Sequence, residues 1–139
     1  MSALAYGTRA VRVDTHVDDD RQRILVTIGG PARGSQVSPV ISKMFLARPE
    51  LTAFDMLYDL MDYTGDVEAE HIKPIADAYE ACRPDPSIPC RTAFLTPDPN
   101  FSFWAEAMNF QFAGREHRVF QDRRKAEAFL DGPRIAQVA

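Results

Sequence analysis

The chain has 139 residues, of which 45% are hydrophobic and 26% are charged, and its formal net charge is −4. This composition predicts one compact globular domain with its own hydrophobic core. The acidic excess argues against binding to nucleic acid, because phosphate recognition needs a basic surface. The longest apolar runs, ALAY and MFLA, are far shorter than the roughly twenty residues of a membrane-spanning helix, and the N-terminal sequence does not resemble a signal peptide. We therefore expect a cytoplasmic protein without a membrane span.

Two strands are predicted at the start of the domain. Residues 11–17, VRVDTHV, alternate between apolar and polar side chains, as a strand with one buried face does. Residues 23–29, RILVTIG, are apolar on both faces and predict a more deeply buried strand. Because a short charged segment separates them, the two strands are expected to form an antiparallel hairpin.

Further strands and helices alternate along the rest of the chain. The additional strands are expected at residues 54–60, 91–96 and 117–120. A hairpin followed by αβ units and a terminal helix is typical of an α/β domain with a mixed sheet. We predict a single α/β domain at residues 8–131, with a mixed five-stranded sheet and about four helices. Residues 1–7 are expected to be an N-terminal extension and residues 132–139 a C-terminal tail.

Capping residues and prolines predict where the helices begin. Ser38 is expected to be the N-cap of the first helix, with Pro39 at its first position. Pro74 interrupts the second helical stripe, so it lies either in the first turn of that helix or at a kink. Asp98 and Asp122 are the expected caps of the last two helices.

The stretch from Phe54 to Val67, FDMLYDLMDYTGDV, predicts an apolar strand that runs into an acidic, glycine-containing turn. In open α/β folds, ligands and switch chemistry concentrate where the carboxyl end of a strand meets such a turn. The predicted switch or binding turn consists of Asp62, Tyr63, Thr64, Gly65 and Asp66.

A metal-dependent enzyme at this turn is the less favoured interpretation. Asp59, Asp62, Asp66 and His71 carry suitable ligand atoms for a divalent metal. However, Asp59 and Asp62 are three residues apart, so they point to opposite faces of a regular strand. The sequence contains no P-loop, GxSxG, HExxH or GxGxxG motif. We therefore expect no catalytic residue, no cofactor and no metal.

The other titratable side chains suggest no chemistry of their own. His16, His71 and His117 are scattered and are expected at the surface, and Cys82 and Cys90 are expected to be reduced thiols. A basic cluster is expected to form a solvated face, with an acidic partner or an anion as the alternative. This cluster contains Arg115, Arg118, Arg123, Arg124 and Lys125.

The third helix has more apolar side chains than one face can hold. Its predicted apolar stripe contains Phe101, Trp104, Met108 and Phe112. Phe103 and Phe110 fall off this stripe. The excess predicts a helix covered on two sides, the lining of an apolar pocket, or the surface of a homodimer.

Three segments carry a resemblance to a known family: LYDLMDYTGDV, TPDPNFSFWAEA and REHRVFQDRRKAEAFLDG. They resemble the SpoIIAA-like branch of the STAS superfamily, whose domains end on a strand and helix of the type VFRD…A…WL. Here that pattern corresponds to residues 119–122, with Ala126, Phe129 and Leu130 in the helix. The resemblance covers residues 8–131 and implies a mixed sheet with helices mostly packed on one side.

The resemblance also implies a role for the acidic turn. In the anti-sigma-factor antagonists of the superfamily, a strand ends in an Asp-Ser-Ser-Gly turn whose second serine is phosphorylated by a partner kinase. Asp62, Tyr63, Thr64 and Gly65 match this turn, and Thr64 takes the phosphoacceptor place. A phosphate there would benefit from a helix N-terminus. In the alternative interpretation, Thr64 and Asp66 simply cap a helix.

Two functions follow as the main hypotheses. The first is a non-enzymatic regulatory module that binds a protein partner through the turn. The second is a carrier or sensor of a small apolar, lipid-like ligand held between the sheet and the aromatic helix, which is the predicted third helix at residues 101–112.

Overall fold

The computed structural model describes residues 10–83 and 85–133. The strands are β1 (Arg12–Asp18), β2 (Arg23–Gly29), β3 (Asp55–Asp59), β4 (Cys90–Leu95) and β5 (Arg115–Phe120). The α-helices are α1 (Gly34–Ala47), α2 (Ala69–Cys82), α3 (Ser102–Gln111) and α4 (Arg123–Asp131). Short 3-10 helices occupy Pro49–Ala53 and Pro99–Phe101. The predicted extension at residues 1–7 and all but the start of the predicted tail lie outside the described residues.

The strands form one sheet in the order β1-β2-β3-β4-β5. β1 and β2 pair antiparallel, whereas every later pair of neighbours is parallel. Each parallel connection passes through a helix, because parallel neighbours need a crossover. The predicted α/β fold with a mixed five-stranded sheet and about four helices is therefore confirmed.

The helices divide unequally between the two faces of the sheet. Side chains of α1, α2 and α3 share one hydrophobic core with the sheet, and α4 packs on the opposite face. Successive side chains of β3 point to opposite faces, so Met56 belongs to the larger core and Leu57 to the smaller core that contains Ala126 and Leu130 of α4. The larger core therefore lies between the sheet and three helices.

The predicted start of the first helix is wrong. α1 begins at Gly34, and its N-cap is Arg33, whose backbone N–H donates to the Gln36 side chain at 2.8 Å. Ser38 and Pro39 lie inside the helix. Because Pro39 has no N–H, the Ser35 carbonyl near the start of the helix lacks its helical hydrogen bond. The proline removes only this one bond.

Close packing between α1 and α2 explains the earlier start. A Cβ atom at Gly34 would lie 2.4 Å from the ring of His71, so only glycine permits this approach of the two helix beginnings. Pro74 also lies inside α2, which begins at Ala69, and the first turn of this helix ends before the proline. The Asp122 side chain accepts a backbone hydrogen bond at the start of α4, as predicted. Asp98 instead caps the 3-10 helix Pro99–Phe101, and the N-cap of α3 is Phe101.

A buried arginine joins the amino ends of β3 and β4. The Arg115 side chain is only 5% exposed, and its guanidinium donates to the carbonyl oxygens of Thr52, Phe54 and Arg91 at 2.9, 2.6 and 3.2 Å. It also donates to the Thr92 hydroxyl at 3.0 Å. The prediction that Arg115 belongs to a solvated basic face is therefore wrong, because its terminal nitrogens satisfy buried carbonyl groups.

Replacement of Arg115 by methionine is expected to lower the free energy of unfolding by about 3 kcal/mol or more, because several buried carbonyl groups would lose their donor. Arg118→Met is the matched control, since Arg118 lies on the same strand with an exposed side chain. The control should lose less than about 1 kcal/mol. Urea denaturation measures both values, and equal losses would contradict a structural role for Arg115.

Candidate functional site: a cavity between the sheet and three helices

A cavity of about 110 Å³ lies between the sheet and helices α1, α2 and α3. Its floor comes from strands β2 to β5, and its walls come from the three helices. Residues 63–68, which follow β3, contribute one edge. A cavity of roughly 150 Å³ is known to hold benzene, so this smaller volume suits a ligand no larger than one six-membered ring with a small substituent.

Aromatic rings shape the cavity. The Phe94 ring is part of the lining and contacts three other rings, with centroid distances of 5.1 Å to Tyr58, 5.1 Å to Phe101 and 5.9 Å to His117. Phe112 extends this network, at 5.4 Å from His117. Because packed rings have few alternative rotamers, the network resists collapse into the space beside it.

The aromatic helix contributes most, but not all, of its predicted residues to this lining. Phe101, Met108 and Phe112 line the cavity. Trp104 does not contribute, and it packs edge-to-face on Phe103 with the centroids 5.5 Å apart. Phe103 is 68% exposed and Phe110 is 92% exposed, so the side chains that fall off the predicted stripe face solvent.

His117 lies inside the cavity wall and not at the surface, so its predicted position is wrong. The residue is 6% exposed, and the Asn109 Oδ1 atom accepts from its backbone N–H at 2.7 Å. The same oxygen lies 3.0 Å from the His117 Nδ1 atom. Because the backbone N–H fixes this atom as the acceptor oxygen, Nδ1 must carry the imidazole proton. Nε2 therefore presents a lone pair.

Two polar side chains of the cavity remain neutral over the physiological range. Burial, with a smaller contribution from the charge of Arg115, lowers the pKa of His117 to about 3. Burial raises the pKa of Tyr58 to about 12. Among the described residues, the Tyr58 hydroxyl donates only to the Met56 sulfur at 4.0 Å, which is a weak acceptor. The cavity is thus mostly apolar, with neutral His117 and Tyr58 beside one buried guanidinium, and the exposed residues Asp66 and Glu68 also belong to its lining.

The predicted switch turn forms part of the edge of the cavity. Tyr63 and Asp66 line it, whereas Thr64 is exposed to solvent. Main-chain bonds attach the turn to the end of β2, because Thr64 N–H donates to the Gly30 carbonyl at 2.9 Å. Gly65 has no room for a side chain, since a Cβ atom there would lie 2.3 Å from the Ala32 carbonyl oxygen. The turn is therefore firmly held and also reaches solvent.

The turn is not the helix cap that the sequence suggested. α2 begins at Ala69, and its N-cap is Glu68, four residues after Thr64. Neither Thr64 nor Asp66 caps this helix, and the Glu68 side chain makes no capping hydrogen bond. The residues between the turn and the helix are extended or irregular, so a hydroxyl at Thr64 does not directly precede a helix N-terminus.

The structure does not bring the predicted metal-ligand set together. Asp59 accepts from the backbone N–H of Met61 at 3.1 Å and lies 3.7 Å from the guanidinium of Arg123. Among residues 10–83 and 85–133, the one group of three close metal-type side chains is Glu68, Glu70 and His71 at the start of α2. It shares only His71 with the predicted set.

The basic cluster is likewise divided between different environments. Arg115 is buried, whereas Arg118 pairs with Glu116 at 2.7 Å and lies over the Phe129 ring. Arg124 and Lys125 are exposed on α4. Cys82 and Cys90 are both free thiols, in agreement with the sequence.

The comparison with solved structures supports the SpoIIAA-like fold. The chain is similar to an uncharacterized protein of the DUF3478 family from Shewanella loihica PV-4, which has a SpoIIAA-like fold. The TM-score is 0.56 at 14% sequence identity, over 87% of this chain and 94% of the other. The predicted SpoIIAA-like α/β fold is therefore confirmed. No family model matches the sequence, and no curated protein matches it. None of the described helices is long and apolar enough to cross a bilayer.

The buried imidazole predicts a specific loss of stability in acid. The unfolded chain takes up a proton at His117 below about pH 6.5, whereas the folded protein does so only near its pKa of about 3. His117 therefore does not reduce the free energy of unfolding above about pH 6.5. As the pH falls from about 6.5 to about 3, the free energy of unfolding decreases by at most about 1.4 kcal/mol per pH unit.

The non-titrating variant His117→Gln isolates this effect. Urea denaturation of both proteins from about pH 7 to about pH 4 should show a steeper loss in the wild type. Parallel curves for the two proteins would show that His117 protonates as readily in the folded state as in the unfolded state.

Proposed function

We propose that the protein is a non-enzymatic module that binds a small apolar ligand in the cavity between the sheet and helices α1 to α3. The supporting observation is the aromatic-walled cavity of about 110 Å³. Concave sites with a mostly apolar lining and a few polar groups are where small molecules bind. We assign no catalysis to His117, one of the two histidines of the lining, because it is kept neutral and hydrogen-bonds to an amide.

The size of the cavity limits both ligand and affinity. Each buried methylene group contributes about 0.8 kcal/mol, so a ligand of about six or seven non-hydrogen atoms is expected to bind with about −5 to −6 kcal/mol. This range corresponds to dissociation constants between about 200 μM and about 40 μM. Such affinities suit a sensor or carrier that exchanges its ligand readily.

The cavity edge gives binding a route to the surface. Tyr63 and Val67 line the cavity, and they belong to the same short segment as the exposed Thr64. A ligand that contacts Tyr63 or Val67 therefore acts on a segment that a protein partner can reach. This arrangement favours a sensor over a passive carrier.

Toluene is a suitable probe, because it matches the cavity in size and polarity. Saturating toluene should raise the melting temperature and perturb the NMR signals of lining residues such as Phe94 and Met56. At about ten times the dissociation constant, the stabilisation is about 1.4 kcal/mol. Unchanged signals for the lining residues would contradict the proposal.

A cavity-filling substitution provides the matched test. Val37→Phe should place a ring in the cavity and abolish the toluene effect, because Val37 lines it. Leu46→Phe is the control on the same helix, since Leu46 is 58% exposed. The control variant should bind toluene like the wild type, and loss of binding in both variants would point to a general disturbance of α1.

A second candidate function is a regulatory module that engages a protein partner through the turn Asp62 to Asp66. The exposure of Thr64 supports it, together with the match of residues 62–65 to the phosphorylated turn of anti-sigma-factor antagonists. The partner would recognise the turn with or without a phosphate, because added charge alters a binding surface.

Phosphosite mapping after incubation with cell lysate and ATP tests the switch. Modification at Thr64 is expected, and Thr64→Glu should change the set of proteins that the domain retains. Ser35→Glu is a control at another exposed hydroxyl. The regulatory candidate is contradicted by an unmodified Thr64 together with identical partners for the wild type and Thr64→Glu.

A further inference from the structure

Several polar groups of the cavity lining have a weak hydrogen-bond partner or none among residues 10–83 and 85–133. The His117 ring uses Nδ1 for its hydrogen bond to Asn109, which leaves Nε2 available. The Tyr58 hydroxyl has only the Met56 sulfur at 4.0 Å. His71 Nδ1 and Arg115 Nε are buried without a hydrogen-bond partner. A ligand that gives such groups a good hydrogen bond gains affinity.

These atoms are of complementary kinds. The Asn109 oxygen holds the imidazole proton on Nδ1, so Nε2 of His117 acts as an acceptor. The Tyr58 hydroxyl keeps its proton and acts as a donor. The two side chains lie on either side of Phe94, with ring centroids 5.9 and 5.1 Å from it. The cavity therefore presents an acceptor and a donor around one aromatic ring.

We infer that the ligand is a small ring compound with a single hydroxyl group, of the phenol type, whose O–H donates to His117 Nε2 and whose oxygen accepts from the Tyr58 hydroxyl. A hydroxyl is the small group that donates and accepts at one atom. This inference rests on the proposed function, since it assigns the chemistry of the ligand in the same cavity.

A carboxylate fits the same atoms less well. It has no proton to donate, so its oxygens would face the lone pair of His117 Nε2. Its transfer from water into an apolar cavity is costly without several strong partners. Arg115 offers little help, because both of its terminal nitrogens already donate to carbonyl and hydroxyl oxygens and only Nε remains.

Calorimetric titration with toluene, phenol and benzoate tests the inference, because these three probes differ mainly in one substituent. Phenol should bind the wild type about tenfold more tightly than toluene, as expected for a net gain of one good hydrogen bond. In Tyr58→Phe, which removes a single oxygen atom, this preference should fall to about threefold or less. Ser35→Ala removes an exposed hydroxyl of α1 outside the lining and should preserve the preference.

The possible failures have different meanings. Equal affinity for toluene and phenol, or tighter binding of benzoate than of phenol, overturns the inference and leaves the proposed function intact. A preference for phenol that survives unchanged in Tyr58→Phe also overturns it. If none of the three probes binds, the proposed function itself fails.

The tautomer of His117 supplies a readout in the wild-type protein. Long-range proton–nitrogen NMR spectra should show an unprotonated Nε2 and a protonated Nδ1 in the ligand-free protein. Phenol should then shift the Nε2 resonance, whereas toluene should leave it nearly unchanged. A proton on Nε2 in the ligand-free protein would overturn the proposed arrangement of donor and acceptor.

Discussion

The buried guanidinium of Arg115 is the interaction on which the cavity depends. Its terminal nitrogens donate hydrogen bonds to the carbonyl oxygens of Thr52 and Phe54, just before β3, and of Arg91 in β4. These bonds fix the separation between the amino ends of the two strands. The same guanidinium lies 5.4 Å from the centroid of the Tyr79 ring of α2. One side chain thereby connects the floor of the cavity with one of its walls.

The charge of Arg115 also affects the chemistry of the cavity. Together with burial, it disfavours a second positive charge and so lowers the pKa of His117. Neutral His117 can hold its proton towards Asn109 and leave a lone pair on the opposite nitrogen. Arg115 thus influences both the shape of the cavity and the kind of hydrogen bond that a ligand makes there.

Patterns of polarity predicted the sheet well, because alternation reports directly which face of a strand is buried. The hairpin, the three later strands and the Asp122 cap are all present. The start of α1 could not be predicted from Ser38 and Pro39, because it depends on the close approach of Gly34 to α2. Contacts between residues far apart in the chain leave no local signal.

The polar residues of the cavity were misplaced for a related reason. Arg115 and His117 were expected at the surface from their residue types, although their spacing puts them on the same face of β5 as Val119. This period of two was the available signal, and Val119 packs against the larger core. The aromatic excess of α3 suggested a pocket, but its volume depends on how rings from several elements fit together.

The claim that this cavity accepts an apolar guest is tested most directly by a crystal structure determined under xenon pressure, because xenon enters apolar cavities and is easily located. The account predicts a xenon site between the Phe94 ring and helices α1 to α3. Side chains that close the space around Phe94, with no xenon bound there, would contradict it.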